Sequence, residues 1–433
     1  MAPPILWQNE ERTITLLDIP QSISAAQGTN EHPCHDLLIS TKPQEHPFPP
    51  QEPKTEKASA NLNNNTVDSA LDAEYHEILH SALEEVRKQY DDIWCLPRRT
   101  ASTSDSTGVG KKRKLDHSSV NQNLDSNTQN YTFSSPHKDQ VSVPPNHAPS
   151  ESTDYEVCCN EDDRFQTTCA AKSVDISASH SQNKRSAFHM PPHSSFYLGD
   201  LSSSQRAFHA AIRNQADSHQ TRKHFDFVLM DPPWPNRSVK RSTHFKTGSG
   251  YSTAHSLQAI EHLILGTDLD MLMADKCLVG VWITNRQSLR ELVLAEDGIF
   301  DQWGLVLEEE WIWLKTTVKG EPVSDIDSLW RKPYEVLLLA RKQRRGSVVT
   351  RQTCQSAPKR RVIMAVPDLH SRKPCLKGLI EPLLTQQKDY RALEVFARHL
   401  VAGWWSWGDE CTKFNCESHW QRAHDAPNGP HPG

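Results

Sequence analysis

The run Asp231-Pro232-Pro233-Trp234 constrains this chain more than any other stretch, because it directly follows the apolar run Phe225-Asp226-Phe227-Val228-Leu229-Met230. Such a run reads as a sheet strand, and the two prolines forbid its continuation. Proline has no N–H for a ladder and restricts the residue before it. The backbone is therefore expected to leave the sheet at the strand's carboxyl end, where open α/β sheets bind their ligands. One carboxylate, two proline carbonyls outside any ladder and one indole converge there. The set suits a flat heterocycle with an exocyclic amine: Asp231 and the Pro232 carbonyl accept the two amine protons, and Trp234 stacks on the ring. A Pro-Pro turn with a capping Asp and a core Trp is the plain alternative for any one of these residues. The four together, behind a strand, favour a site.

The chemistry explains the residue types. The lone pair of an aromatic amine is delocalised into its ring, which makes the amine a poor nucleophile. Two acceptors on its hydrogens favour a pyramidal nitrogen whose lone pair faces an electrophile, a combination of electrostatic preorganisation and positioning. No proton has to leave before the attack.

Further segments extend the pattern in order: Trp234-Pro235-Asn236-Arg237-Ser238-Val239-Lys240-Arg241-Ser242, Trp282-Ile283-Thr284-Asn285-Arg286-Gln287, Lys332-Pro333-Tyr334-Glu335, His370-Ser371-Arg372-Lys373-Pro374, Leu393-Glu394-Val395-Phe396-Ala397-Arg398 and Gly403-Trp404-Trp405-Ser406-Trp407-Gly408-Asp409-Glu410. With these motifs the chain resembles the MT-A70 family of adenine-N6 methyltransferases over about residues 190–415, most of all its methyltransferase-like protein 4 branch. The resemblance implies a Rossmann-like α/β fold, S-adenosylmethionine as cofactor, and N6 of adenine in RNA or DNA as acceptor. By the same resemblance Asp231, Pro232, Pro233 and Trp234 are catalytic. Asp200 and Leu201 lie at the cofactor's adenine, Lys373 approaches the methionine carboxylate, and Arg398 and His399 line the ribose and methionine portion. Asp409 and Glu410 sit at the ribose hydroxyls. The family more often shows Asn where this chain has Asp409; a carboxylate there still accepts from a hydroxyl but loses the amide donor. Asn236, Lys240, Arg241, Asn285, Arg286, Lys332 and Tyr334 are the candidate substrate-binding residues. For Asn285 two uses stand side by side: reading adenine through paired hydrogen bonds, or capping the following helix.

The order of parts agrees with the resemblance. A doubly wound fold normally places a glycine-rich cofactor loop before the catalytic motif. Gly108-Val109-Gly110 lies far upstream in a Ser/Thr/Asn-rich tract, and Gly248-Ser249-Gly250 comes after the turn. The cofactor elements come late, so the motif order is permuted.

Composition bounds the rest. Hydrophobic residues are 36% of 433, and polar residues crowd particular stretches. Such stretches bury too little apolar surface to offset chain entropy. The expected organisation is a short strand segment at 1–27, a disordered linker at 28–66, an amphipathic helix at 67–95, a disordered low-complexity linker at 96–189, the MT-A70-like domain at 190–415 and a flexible tail at 416–433. Residues 5–18 suggest a hairpin. In 69–94 the spacing of Leu71, Tyr75, Ile78, Leu79, Ala82, Leu83, Val86, Tyr90 and Ile93 predicts a helix, with Ser69 and Asp72 as a capping box. Its apolar stripe is one-sided, so it must dock on the catalytic domain or on a partner. Downstream, strands alternate with helices, which indicates a mostly parallel sheet.

The ten cysteines form no Cys-x-x-Cys pair, and there is no signal segment or apolar run long enough to span a membrane. Cys411, Cys416, His419 and His424 fit no strong zinc template, so no metal is expected. The net charge of -6 excludes a globally basic nucleic-acid binder. Basic residues nevertheless collect at Arg237, Lys240, Arg241 and Lys246, and again from Arg341 to Arg361, and phosphate binding needs only such local patches. A solvated surface is an equal reading of the second patch. Lys111-Lys112-Arg113-Lys114 resembles a nuclear-import signal, which gives a nuclear location, with the cytoplasm as a second one. The expected partner is nucleic acid presenting a single-stranded or flipped adenine, small nuclear RNA ahead of DNA. No membrane is involved, and the branch resembled works without a partner methyltransferase subunit. The competing readings are a non-catalytic nucleic-acid-binding scaffold of the same fold, and a small-molecule methyltransferase. The intact tetrapeptide and Lys373 disfavour the first, and the basic patches disfavour the second.

Overall fold

The computed structural model of the protein describes residues 2–49, 68–100, 156–162, 166–169, 187–235, 256–328, 332–344, 357–385 and 389–422. In chain order its strands are β1 Ile5–Gln8, β2 Ile14–Leu17, β3 Leu37–Ser40, β4 Arg99–Thr100, β5 Glu156–Cys159, β6 Gln166–Cys169, β7 Ala187–Met190, β8 Ser195–Leu198, β9 Phe225–Met230, β10 Met273–Ile283, β11 Leu305–Lys315, β12 Tyr334–Lys342, β13 Lys359–Ala365, β14 Ala392–Val395, β15 Trp404–Gly408 and β16 Trp420–Gln421. The α-helices are α1 Ile19–Ala25, α2 Ser69–Gln89, α3 Leu201–Ser218, α4 Leu257–Leu265, α5 Gln287–Leu294, α6 Ile299–Gln302 and α7 Lys377–Ile380.

Eleven of these strands form one sheet in the order β1-β2-β13-β11-β12-β10-β9-β14-β15-β8-β5. Six of its ten ladders are parallel, as the alternation of strands and helices predicts. Both faces are covered, which is why β9 is apolar nearly throughout. Phe225, Val228 and Met230 pack with Tyr75, Leu79, Phe208, Ile260 and Leu289 from α2 to α5 on one face. Phe227 and Leu229 pack with Ile19, Ile23 and Ile380 from α1 and α7 on the other. This is a Rossmann-like α/β sheet with permuted motif order.

Structure reaches further into the flanks than composition suggests. The expected hairpin forms, and β2 then pairs in parallel with β13, so the N-terminus enters the main sheet. The 28–66 linker contains β3, which pairs with β4 and with β16. The 96–189 linker contributes β5 to the main sheet through β8. The tail expected at 416–433 carries β16, with His419 and Trp420 buried. These strands are two to four residues long and pair with segments remote in sequence, so they leave no local periodic signal. Residues 50–67, 101–155, 163–165, 170–186 and 423–433, which include residues 108–114, lie outside the described residues.

Helix α2 spans Ser69–Gln89, shorter than the apolar stripe implies. Asp68, rather than the Ser69/Asp72 box, caps it by accepting from the Ala70 N–H. Asp91 and Asp92 follow its end, where negative charge opposes the helix dipole. Among the described residues no helix is long and apolar enough to cross a membrane.

Candidate active site

Strands β9, β14, β15 and β8 are adjacent and mutually parallel, so their carboxyl ends align. That alignment gathers Asp231, Arg398, Asp409 with Glu410, and Asp200 from four separate stretches. Strand β12 runs antiparallel to β10 and β11, so its first residues and the last of β11 reach the same end. They add Glu335 and Lys315.

These groups make a chain of alternating charge. Lys315 binds Glu335, and Glu335 binds Lys373. The Lys373 Nζ is 3.4 Å from Asp231 Oδ1, and Arg398 Nη1 is 3.4 Å from Asp231 Oδ2. Arg398 Nε donates to Glu410 at 3.2 Å, and Lys413 reaches Glu410 at 2.9 Å. Burial opposes the charge on Lys373, but Asp231 and Glu335 outweigh it and raise its pKa. Burial likewise opposes the Glu335 charge, and Lys315 and Lys373 reverse that effect, holding its carboxyl well below the ordinary range. Asp231 therefore sits between two cations that orient both its oxygens. Lys373 also lies 4.9 Å over the Trp282 ring.

The turn after β9 is tighter than the sequence suggests. The Pro232 carbonyl accepts the Trp234 N–H at 2.8 Å, which leaves one lone pair for a ligand. Trp234 is 9% exposed, and its indole N–H donates to the Trp282 carbonyl at 2.7 Å. It is a wall of the turn rather than an open stacking platform. Arg286 Nη1 donates to the Pro235 carbonyl at 2.6 Å, tying the end of β10 to the catalytic turn. Asn285 Nδ2 donates to the Tyr334 carbonyl, while Arg286 occupies the cap position of α5. Asn285 is thus not a helix cap; its Oδ1 is buried without a hydrogen-bond partner among the described residues.

A cleft beside the turn is lined by Asp231, Trp282, Lys373, Glu394, Arg398 and His399, among others. Burial, then the negative charge of Asp231, pushes the Glu394 carboxyl up to about 8 against the pull of Arg398. Burial, then Arg372, pushes His399 down to about 4, so its imidazole is neutral, and its Nε2 has no described partner. Burial, then Glu410 and Asp200, pushes Asp409 up to about 6, and its Oδ1 is likewise unpartnered. Asp200 caps α3 by accepting from the Ser202 and Ser203 hydroxyls and N–H groups, and these donors outweigh burial to lower its pKa. Leu201 is buried behind it. His399 and Asp409 thus each present a buried polar atom that a ligand can satisfy. The donor set fits S-adenosylmethionine: a hydroxyl can satisfy Asp409, and the cations Lys373 and Arg398 suit a carboxylate. Sequence reasoning quoted Glu335 and Glu394 within their motifs but gave them no role, and it passed over Lys315. Only the sheet order brings these three to Asp231.

Two candidate substrate-binding residues are elsewhere. Lys332 donates to Asp72 at 2.8 Å, and the Tyr334 hydroxyl donates to Asp72 at 2.8 Å with the ring buried. They fasten helix α2 to the catalytic sheet, because a buried carboxylate must be paired. Three described members of the second basic cluster are also engaged internally: Arg341 with Glu308, Arg360 with Glu310 and Glu74, and Arg361 with Glu309. Asn236, Lys240 and Arg241 lie outside the described residues. Among the described residues no group of three or more His, Cys, Asp or Glu is placed to hold a metal.

A family profile described as MT-A70 matches residues 225–410. The chain is 33% identical over 427 residues to a protein of Cryphonectria parasitica named N6-methyladenosine RNA methyltransferase MTA1, covering 97% of this chain and 94% of that one. It is 31% identical to the protein of the same name from Pyricularia oryzae, covering 98% of both. Over 229 residues it is 35% identical to the human N(6)-adenine-specific methyltransferase METTL4, covering 52% of this chain and 43% of the human one.

Proposed function

The chain belongs to the MT-A70 family, and from that premise we propose that it is a methyltransferase that uses S-adenosylmethionine to methylate N6 of adenine in nucleic acid. The observation that carries this reading is Asp231, at the carboxyl end of β9, with its two oxygens oriented by Lys373 and Arg398 beside a proline carbonyl that keeps one lone pair. Asp231 and the Pro232 carbonyl accept the two N6 protons and turn the nitrogen lone pair outward. Pro233 and Trp234 hold the turn in shape. Lys373, Arg398, His399, Asp409, Glu410, Asp200 and Leu201 are the residues that would hold the cofactor. The cofactor supplies an electrophilic methyl group. Asp231 acts while ionised, and the N6 proton leaves after transfer.

For the acceptor we infer RNA. The support is the near full-length similarity to proteins named as RNA methyltransferases, against half-length similarity to METTL4. Small nuclear RNA, a nuclear location and activity without a partner subunit remain part of the proposal on the motifs alone.

The test is Asp231→Asn. Removing a preorganised group of this kind costs about 10²–10³ in rate. Transfer from S-adenosylmethionine to an adenine-containing oligoribonucleotide is expected to fall at least that far, while calorimetry still registers donor binding. Near-normal transfer by the purified variant refutes the assignment. Running the wild type on RNA, DNA and free adenosine, with N6-methyladenosine read by mass spectrometry, separates the acceptors.

A further inference from the structure

We propose that Asp72, on the N-terminal helix α2, is a positioning residue for the Asp231 carboxylate, acting through Tyr334, Glu335 and Lys373. The inference rests on the functional reading above and adds to it a residue far from the catalytic turn in sequence.

The geometry is continuous. Asp72 is 9% exposed and accepts on both oxygens: the Tyr334 hydroxyl at 2.8 Å on Oδ1 and the Lys332 ammonium at 2.8 Å on Oδ2. Its two partners flank Pro333, so one carboxylate grips the entry of β12 from both sides. His76, one turn along α2, adds a contact of 2.8 Å between its Nε2 and Lys332 and pairs with Asp327 through Nδ1 at 2.9 Å. The backbone at this entry is fixed as well: the Pro333 carbonyl accepts the Lys315 N–H at 2.7 Å, and the Tyr334 carbonyl accepts from Asn285. The next residue, Glu335, binds Lys373, whose ammonium is 3.4 Å from Asp231. Apart from the peptide bond that joins Tyr334 to Glu335, every link is a hydrogen bond or an ion pair, and all but the last two belong to one strand entry.

A catalytic carboxylate misplaced by a fraction of an ångström loses rate without losing its ligands. Asp72 is too far along this chain to touch substrate or cofactor, so its loss acts only by letting the β12 entry shift. Glu335 then no longer fixes where Lys373 sits beside Asp231, and the Asp231 oxygens lose the orientation that the adenine amine requires. The Tyr75–Tyr334 edge contact, with ring centroids 6.0 Å apart, keeps α2 seated without that carboxylate.

The experiment is a single-turnover cycle on the full chain with Asp72→Asn, Tyr334→Phe and the double variant. It is run at saturating S-adenosylmethionine, with each rate normalised to the sites that bind donor in calorimetry. Normalisation removes any loss of folded protein, which is all a purely structural role would produce. Each single variant is expected to lose tenfold or more per donor-loaded site, and the double variant is expected to be no slower than the worse single. Tyr334→Phe keeps the ring packed, so it remains informative if Asp72→Asn fails to fold. Normal per-site rates in either variant, or losses that multiply in the double, overturn the proposal. A wild type that transfers no methyl group overturns the functional reading instead.

Discussion

At the scale of single residues the site is governed by how charges are paired. Among the described residues the Asp231 carboxylate pairs with Lys373 and Arg398, both of which are themselves tied back by Glu335 and Glu410. Asp409 is the counter-case, because it faces Glu410 and Asp200 with one oxygen unpartnered. Burial and those two carboxylates raise its pKa from 3.8 to about 6. The sign follows from linkage. A raised folded-state pKa means that the folded protein binds the proton more tightly than the unfolded chain. The stability this provides is fully present below pH 3.8 and is lost as pH rises through about 6. Asp409→Asn removes the penalty, so it is expected to be more stable than wild type at pH 7.5 by about 1–3 kcal/mol. At pH 4 the advantage should nearly vanish. Urea midpoints of the two proteins at both pH values check this, and an equal difference at both would disprove the cause. The same comparison bears on cofactor binding, since a ribose hydroxyl is the donor that Asp409 lacks.

At the scale of elements the helix α2 shows what periodicity can and cannot deliver. The stripe Tyr75, Leu79, Ala82, Leu83 and Val86 is buried against the catalytic sheet, as three- and four-residue spacing requires. Its end could not be placed, because Ile93 continues the spacing yet is 61% exposed beyond the last turn. The helix ends at Tyr90, which is extended, and beyond it Trp94 packs on the turn at Gly320, whose φ of 74° only glycine adopts freely. A side chain at Gly320 would also strike the Trp94 ring at 2.5 Å. The placement of Lys332 and Tyr334 on Asp72 has the same root. A motif lies near a site in sequence, but only the fold decides which side of the strand each residue faces. Asp72 reads locally as a capping residue and is in fact a buried partner of β12. Since Leu79 is fully buried at the centre of the stripe, Leu79→Ala is expected to destabilise the protein by about 2–4 kcal/mol through lost apolar burial and a residual cavity. A shift of the urea midpoint with unchanged slope measures it. A change under 1 kcal/mol would mean that α2 is held mainly by its polar contacts with Glu310, Arg360, Lys332 and Tyr334.

At the scale of the whole molecule the catalytic stretch is not a separable unit. The parts legible in sequence were those where one segment suffices: β9 with its terminal turn, α5, and the late strands near the cofactor motifs. The parts missed were those assembled from distance, above all β2 on β13 and β5 on β8, which close the two flanks of the sheet. The loop bearing Lys373 depends on the same remote segments. Arg372 binds Asp368 at 2.8 Å with both side chains buried, contacts His419 Nδ1 at 2.9 Å and donates to the Ile39 carbonyl at 2.8 Å. Arg98 donates from the other side to the Val366 and Pro367 carbonyls, each at 2.7 Å. A fragment of residues 190–415 would lose β1 to β6, nearly all of β7, α1, α2 and β16 together. The β13 edge would be left open to pairing with other chains. Tyr75 and Leu79 would vanish from one face of the sheet and Ile19 and Ile23 from the other. A buried Arg372 would keep Asp368 and lose His419 and the Ile39 carbonyl, which leaves part of a buried charge unpaired. The fragment is therefore expected to aggregate or to lack fixed tertiary structure, seen as a lost near-ultraviolet dichroism signal and no cooperative unfolding, where the full chain shows both. A monomeric fragment that unfolds cooperatively near the full-length midpoint would show that the flanking strands decorate the sheet rather than complete it.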